Sequence, residues 1–395
     1  MSAATGGDSA PLAGVRVLEL ARILAGPWAG QLLADLGADV VKVERPESGD
    51  VTRSWGPPFI AAADGTSTAA YFHACNRGKR SIAIDFETPE GRETVLRLAR
   101  NADVVIENYK LGGLAKYGLD EASIRAVNPG IIYCSITGFG QTGPYAPRAG
   151  YDYIVQGMGG VMSLTGEPDG EPQKIGVAFA DIFTGLYSVI GVLSALRRRD
   201  RDGNGAVLDM ALLDSQVGVL ANQAMNYLAT GISPVRMGNA HPNIVPYQVF
   251  AVADGHVIVA VGNDGQFRRF ADLLGVPALA EDERFSTNRA RVQNRAVLVL
   301  LLEQRLLTMT RANLLAAMEG AGVPAGPINN IEDVFADPQV IARGMQMELE
   351  TPQGDSVPTI RVPILMDGEP VLSRRAAPAL DADAAAILSD PRWTA

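Results

Sequence analysis

A single acid opens a long uncharged and largely apolar stretch of this chain. In "GVAFADIFTGLYSVIGVLSALRRR", Asp181 precedes Ile182–Leu196, fifteen residues without a charge. A carboxylate there has one plain local role. It can cap a helix by accepting a free first-turn N–H, at the end where the helix dipole favours negative charge. Any other role for it has to be supplied by the rest of the chain. Caps are the commoner fate of helix-starting Asp residues, so the neighbourhood has to decide. Metal chemistry finds little support, because His73, His241 and His256 lie far apart without ligand-like spacing. The first strand-to-helix turn, "ARILAGPWAG", lacks the G-x-G-x-x-G that seats a pyrophosphate on a helix N-terminus. Glu44 falls near the place of a dinucleotide enzyme's ribose-binding acid, yet Arg45 follows at once, and a strand-end surface pair is the plainer reading.

The elements that must position these residues alternate between strand and helix patterns. "GVRVLEL" reads as a strand, "PWAGQLLADLG" as a helix opened by Pro27 and closed by Gly37, and "ADVVKVE" as a second strand. The unit recurs as "RSIAIDF", a helix capped by Thr88 with Pro89 at its first position, and "NADVVIEN". "IIYCSITGFG" and "AVLDMAL" add further strands, with a helix opened by Asp214 or Ser215 after the last. Such alternation predicts a parallel sheet flanked by helices, a Rossmann-like α/β domain over residues 1–230. The texture changes at Gly231. A Gly-, Pro- and Asn-rich stretch leads to a hairpin with Asp254-Gly255 at its turn, then short helices, a smaller α+β domain over 231–322. "VPAGPINN" reads as the linker out of it, and residues 323–395 contain the extended stretches "QMELETP" and "TIRVPILM".

Composition bounds the function. At 395 residues the chain exceeds the usual span of one core. A formal net charge of −10 argues against nucleic-acid or anionic-membrane partners. The apolar run Ile182–Leu196 is interrupted by Thr184, Gly185, Ser188 and Gly191, falls short of a membrane span, and is expected to be a buried helix. No export signal is visible at the N-terminus, and Cys75 and Cys134 cannot build a disulfide framework, so a cytoplasmic enzyme is expected.

Taken together, "GVRVLELARILAGPWAGQLLADLGADVVKVERPESGDVTRSWGPPF", "NRGKRSIAIDF", "ADVVIENY", "NPGIIYCSITGFGQTGPY", "GYDYIVQGMGG" and the Asp181 stretch resemble the class III coenzyme A transferases, over nearly the whole chain and in order. The resemblance implies that Asp181 is the catalytic nucleophile. It would attack the donor thioester, form an acyl anhydride, then an aspartyl–CoA thioester, and pass CoA to an acceptor carboxylate. Coenzyme A enters as a substrate, and no tightly bound cofactor is implied. The resemblance further implies that Ile23, Arg45, Cys75, Asn76, Lys79, Arg80, Asn108, Tyr109 and Lys116 form the CoA site, with Arg and Lys on its phosphates. It also implies an interlocked homodimer in which the C-terminal part returns to the large domain.

Departures from the family pattern bear on the substrate. Leu24 stands where formyl-CoA transferase has a glutamine near the acyl group, and "MGNAHPNIVPYQVF" replaces that enzyme's glycine-rich loop. Both argue against oxalate and toward the branch that uses succinyl-CoA with dicarboxylates such as glutarate, hydroxymethylglutarate, itaconate or mesaconate. Arg22 and His241 are candidates for a distal carboxylate, although His241 could instead order its Pro-rich loop, and Arg22 could pair with CoA or a surface acid. Two rival readings share the fold. An α-methylacyl-CoA racemase needs an acid/base pair and carries "GHD", where this chain has Gly150, Tyr151 and Asp152. A catalytically silent CoA-binding protein is the other.

Overall fold

Six strands form a wholly parallel sheet in the computed structural model of the chain, which describes residues 10–395. They are β1 (Arg16–Glu19), β2 (Asp39–Glu44), β3 (Arg80–Ala83), β4 (Val104–Glu107), β5 (Ile132–Thr137) and β6 (Ala206–Ala211). Their order is β3-β2-β1-β4-β5-β6, the doubly wound dinucleotide-fold order, reversing between β1 and β4. Segments such as "VVIE" are apolar at successive positions because this sheet is covered on both faces. One face packs α1 (Ala25–Asp35) and α5 (Phe179–Asp202), the other α2 (Pro89–Asn101) and α3 (Glu121–Val127). The first turn of α2 is set as its sequence predicts, with Thr88 Oγ1 accepting the N–H of Gly91 at 3.1 Å.

α5 is longer than the apolar run inside it. At 24 residues it has the length and composition to cross a membrane, but here it is a core helix against α1, β5 and β6. Its two buried hydroxyls are satisfied internally, Thr184 Oγ1 on Ala180 O and Ser188 Oγ on Thr184 O, each at 2.7 Å. Gly185 lets the two helices meet, because a Cβ there would lie 2.9 Å from the carbonyl oxygen of Ala25.

The described residues divide into two units. The first continues from Lys174 to Thr230 and takes in Pro338–Ala395. Its helix after β6 is broken, with α6 (Leu212–Gly218) and α7 (Ala221–Thr230) separated at Val219 and Leu220. The C-terminal segment is tied into this unit by Arg77, which pairs with Asp35 and donates to the carbonyl of Ile360 at 2.9 Å, and by buried Trp393, whose Nε1 donates to Asp39 at 2.9 Å.

The second unit is Met162–Gln173 with Gly231–Asp337. Its hairpin β7 (Tyr247–Val252) and β8 (Gly255–Ala260) turns at Asp254-Gly255, with Gly255 at φ +144°. Ala325–Gly326, inside the expected linker, pairs with β8 as a third strand. Residues 162–173 join because Arg236 donates to the carbonyls of Glu167 and Gly170. Phe250, Phe267, Phe270 and Phe285 fill its core.

Candidate active site

Asp181 lies in the first turn of α5, yet it does not cap the helix. The capping acid is Asp152, at the start of α4 (Asp152–Met158), whose Oδ1 accepts the N–H of Ala180 at 2.7 Å and that of Asp181 at 3.3 Å. Gln156, fully buried on the same helix, donates from Nε2 to Asp152 Oδ2 at 2.7 Å and accepts the N–H of Ile175 at 2.8 Å. The segment entering α5 is thus fixed by α4, and the side chain of Asp181 is left without a capping bond. Burial first, and then repulsion from Asp152, push its carboxyl up to about 7. A carboxylate so raised is more basic than a free carboxylic acid's and is half ionised near neutral pH. Tyr71 lies within its field. Burial first, with the Asp181 charge adding, pushes that phenol up to about 12, so it stays protonated.

A cavity of about 730 Å³ opens over the carboxyl ends of β1 to β4, beside the point where the strand order reverses. This is where doubly wound sheets place ligands. Arg22, Arg45, Lys110 and Lys116 reach its wall, with Asp85 and Glu87 as exposed acids. The other wall carboxylates are already used. Glu44 is gripped by Arg53 through bonds of 2.8 and 2.7 Å, which hold it below its ordinary range despite burial. Asp50 pairs with Lys42 at 3.0 Å. The free cations outnumber the free acids, four to two, which suits an anionic ligand.

Beneath the cavity lies a buried ionic cluster. Lys42 Nζ contacts Glu19 Oε1 at 2.9 Å and Asp50, and Lys79 Nζ contacts Glu19 Oε2 at 2.8 Å and Asn76 Oδ1 at 2.8 Å. Both lysines are inaccessible. Burial opposes the charge on each. At Lys42 the carboxylates of Glu19 and Asp50 outweigh it and hold the ammonium above its ordinary range, whereas Lys79 is lowered. Above this cluster the β1–α1 turn is pinned group by group. Lys42 donates to Ala21 O at 2.8 Å, and Asn108 both accepts the N–H of Arg22 at 2.9 Å and donates to its carbonyl at 2.6 Å. Asp50 accepts the N–H of Ile23 at 3.2 and 3.4 Å, and Cys75 Sγ lies 3.5 Å from Ile23 O. Cys75 also lies 3.7 Å from Tyr71 O, so a short path of contacts joins the cavity wall to the surroundings of Asp181.

The expected CoA residues therefore separate into groups. Arg45, Tyr109 and Lys116 line the cavity. Ile23, Cys75 and Asn108 form the turn and its clamps, and Asn76 and Lys79 belong to the buried cluster, with Asn76 Nδ2 on Phe72 O at 2.9 Å. Arg80 is not at the cavity wall. Its guanidinium grips Asp39 at 2.8 and 2.5 Å and lies 5.9 Å from the Trp393 ring. Arg22 reaches the cavity with its guanidinium 4.6 Å from the Tyr109 ring centroid, and Leu24 is buried at the N-cap of α1. His241 belongs to the second unit, where Nδ1 accepts the N–H of Asn243 at 3.1 Å and the ring packs on Tyr247. Asp152, Gln156, Asp50 and Lys110 escaped the sequence reading. Only Asp152 and Gln156 left a trace there, an acid and an amide at i and i+4 in "GYDYIVQG".

The model of "CoA-transferase family III" matches residues 12–384. The chain is 60% identical to a succinate–glutarate CoA-transferase of Agrobacterium fabrum, over 96% of this chain and 95% of that protein. It is 46% identical to the mouse succinyl-CoA:glutarate CoA-transferase, over 87% and 77%. The crystal structure of a CaiB/BaiF family protein from Brucella suis superposes with a TM-score of 0.85 at 64% identity, covering 95% of this chain and 98% of that one. With a parallel doubly wound sheet, an uncapped acid at the head of α5 and these relatives, the chain belongs to CoA-transferase family III and is an enzyme of that class.

Proposed function

We propose that the protein moves coenzyme A from succinyl-CoA to a dicarboxylic acid, glutarate first among the candidates, with hydroxymethylglutarate, itaconate and mesaconate in the same class. The observation that carries this reading is the Asp181 carboxylate, fixed at a helix start while Asp152 does the capping. The 60% identity to a succinate–glutarate CoA-transferase supports the choice of substrates. In this reading ionised Asp181 attacks the thioester carbonyl, the C–S bond breaks, and CoA leaves as thiolate with a succinyl-aspartyl anhydride behind it. The thiolate then attacks the aspartyl carbonyl and expels succinate. The acceptor carboxylate attacks the resulting aspartyl thioester and expels CoA thiolate to form a second anhydride, and the thiolate then attacks the acceptor's carbonyl in that anhydride and releases Asp181 as carboxylate. Every leaving group is a carboxylate or a thiolate, so no step stands far uphill.

The CoA phosphates and adenine are assigned to the cavity at the strand ends, on Arg45, Lys110 and Lys116 with Tyr109 beside them. The lining of that cavity supports this. Lys79, Asn76 and Arg80 serve the fold beneath it. We further assign a homodimer working in the cytoplasm. The dimer is supported by large apolar side chains left exposed on the first unit, among them Tyr153, Ile190, Met225 and Leu228.

The test is to incubate the protein with succinyl-CoA and a panel of carboxylic acids and follow new acyl-CoA species by mass spectrometry. Transfer to glutarate that is lost in Asp181→Ala supports the reading. α-Proton exchange on a methyl-branched acyl-CoA without transfer would favour the racemase, and CoA binding without turnover a silent binding protein.

A further inference from the structure

Ile23 sits at φ +71°, in the left-handed region that a β-branched side chain avoids. A glycine would hold that conformation without strain, as the first glycine of a dinucleotide-binding turn does. Here the conformation is imposed from outside, by Asn108 on both polar groups of Arg22 and by Asp50 on the N–H of Ile23. Both clamps come from other strand ends, Asn108 directly after β4 and Asp50 after β2. The outcome of the bend is visible at Arg22, whose side chain reaches the cavity wall and lies over Tyr109, the residue after Asn108.

We propose that Asn108 and Asp50 are positioning residues that hold the β1–α1 turn in its strained form and so keep Arg22 aimed into the cavity as a cation for the acyl-CoA. Asn108 acts through the Arg22 backbone and need not touch the ligand, since its amide oxygen and nitrogen are both engaged. This rests on the reading of the cavity as the CoA site, and the test separates the two.

Initial rates are measured with succinyl-CoA and glutarate varied in turn, together with CoA affinity by calorimetry and Tm, for Asn108→Ala, Ile23→Gly, their double variant and Lys116→Ala. Asn108→Ala is expected to raise the KM for succinyl-CoA by about 10-fold and leave the KM for glutarate unchanged. Ile23→Gly is expected to hold or raise Tm, because the strain is gone, while still raising the same KM by about 3-fold as the turn loosens. The double variant should fall well short of the roughly 30-fold product, because both changes act through one turn. A full product would overturn the proposal, as would an unchanged KM in Ile23→Gly or a rise in both KM values that only follows lost stability. Ile23→Gly decides the matter alone if Asn108→Ala folds poorly. Weaker CoA binding in Lys116→Ala with none in Asn108→Ala keeps the cavity and removes the proposal. Unchanged CoA binding in all the variants removes both.

Discussion

Asp152 accepts the backbone N–H of Asp181 at 3.3 Å while its charge repels the Asp181 carboxylate. One acid therefore both seats the other and keeps it basic. Asp152→Asn retains an oxygen for the cap and removes the charge. The acid limb of kcat/KM for the donor should then move to lower pH, by about half a unit to one unit. Asp152→Ala loses the cap as well, at a cost of about 1 kcal/mol. A pH–rate profile and a denaturant titration separate the two effects, and a limb that stays in place would mean that burial alone raises Asp181.

Asp181→Asn should abolish transfer, with a loss of at least ~10³-fold. Its effect on stability has the opposite sign. The Asp181 carboxyl titrates at about 7 when folded, above its unfolded value near 4, so the folded chain holds that proton longer. The resulting stabilisation is complete below about pH 4 and is lost as pH rises through about 7. Asparagine cannot ionise. The variant should exceed the wild type by on the order of 1–3 kcal/mol at pH 8, and the gain should vanish at pH 4. Urea titrations at both values check this.

The two lysines expected on CoA phosphates should behave differently. Lys79→Met leaves Lys42 alone to neutralise both Glu19 and Asp50 in the buried cluster and should cost about 3–5 kcal/mol, while the KM for succinyl-CoA changes little. Lys116→Ala, on the cavity rim, should raise that KM and leave stability within about 0.5 kcal/mol. Parallel Tm and kinetic measurements distinguish them, and the reverse pattern would return Lys79 to the ligand.

Gly185→Ala should destabilise by about 1–3 kcal/mol, because the added methyl meets the Ala25 carbonyl and forces α1 and α5 apart. Activity should fall more than stability alone accounts for, since the shift falls one turn after Asp181. Kinetics well below Tm provide the check.

The sheet and its helices were legible in the sequence wherever a pattern is local. Thr88 with Pro89 marks the start of α2, and Asp254-Gly255 marks the hairpin of the second unit. What resisted reading depends on partners distant along the chain. The cap of α5 comes from Asp152, 29 residues before Asp181, and nothing near Asp181 announces it. Lys79 and Arg80 look like turn cations in "NRGKRS" but fold onto Glu19 and Asp39, which precede them by 60 and 41 residues. The strand Ala325–Gly326 is two residues long within a Pro- and Gly-rich stretch, and it exists only because β8 offers an edge.

The pinned β1–α1 turn has a consequence for how firmly this enzyme can hold its ligand as conditions change. In a glycine-rich dinucleotide turn, backbone amides grip the pyrophosphate at short range, and dissolved ions compete poorly with them. Here the amides of Arg22 and Ile23 are consumed by Asn108 and Asp50. In the proposed CoA site, recognition of phosphate falls to the exposed cations of the cavity wall, whose pull fades over a screening length of about 8 Å at physiological ionic strength. Affinity for the acyl-CoA should therefore decline steadily with added salt, making the enzyme's saturation responsive to the ionic composition of its surroundings.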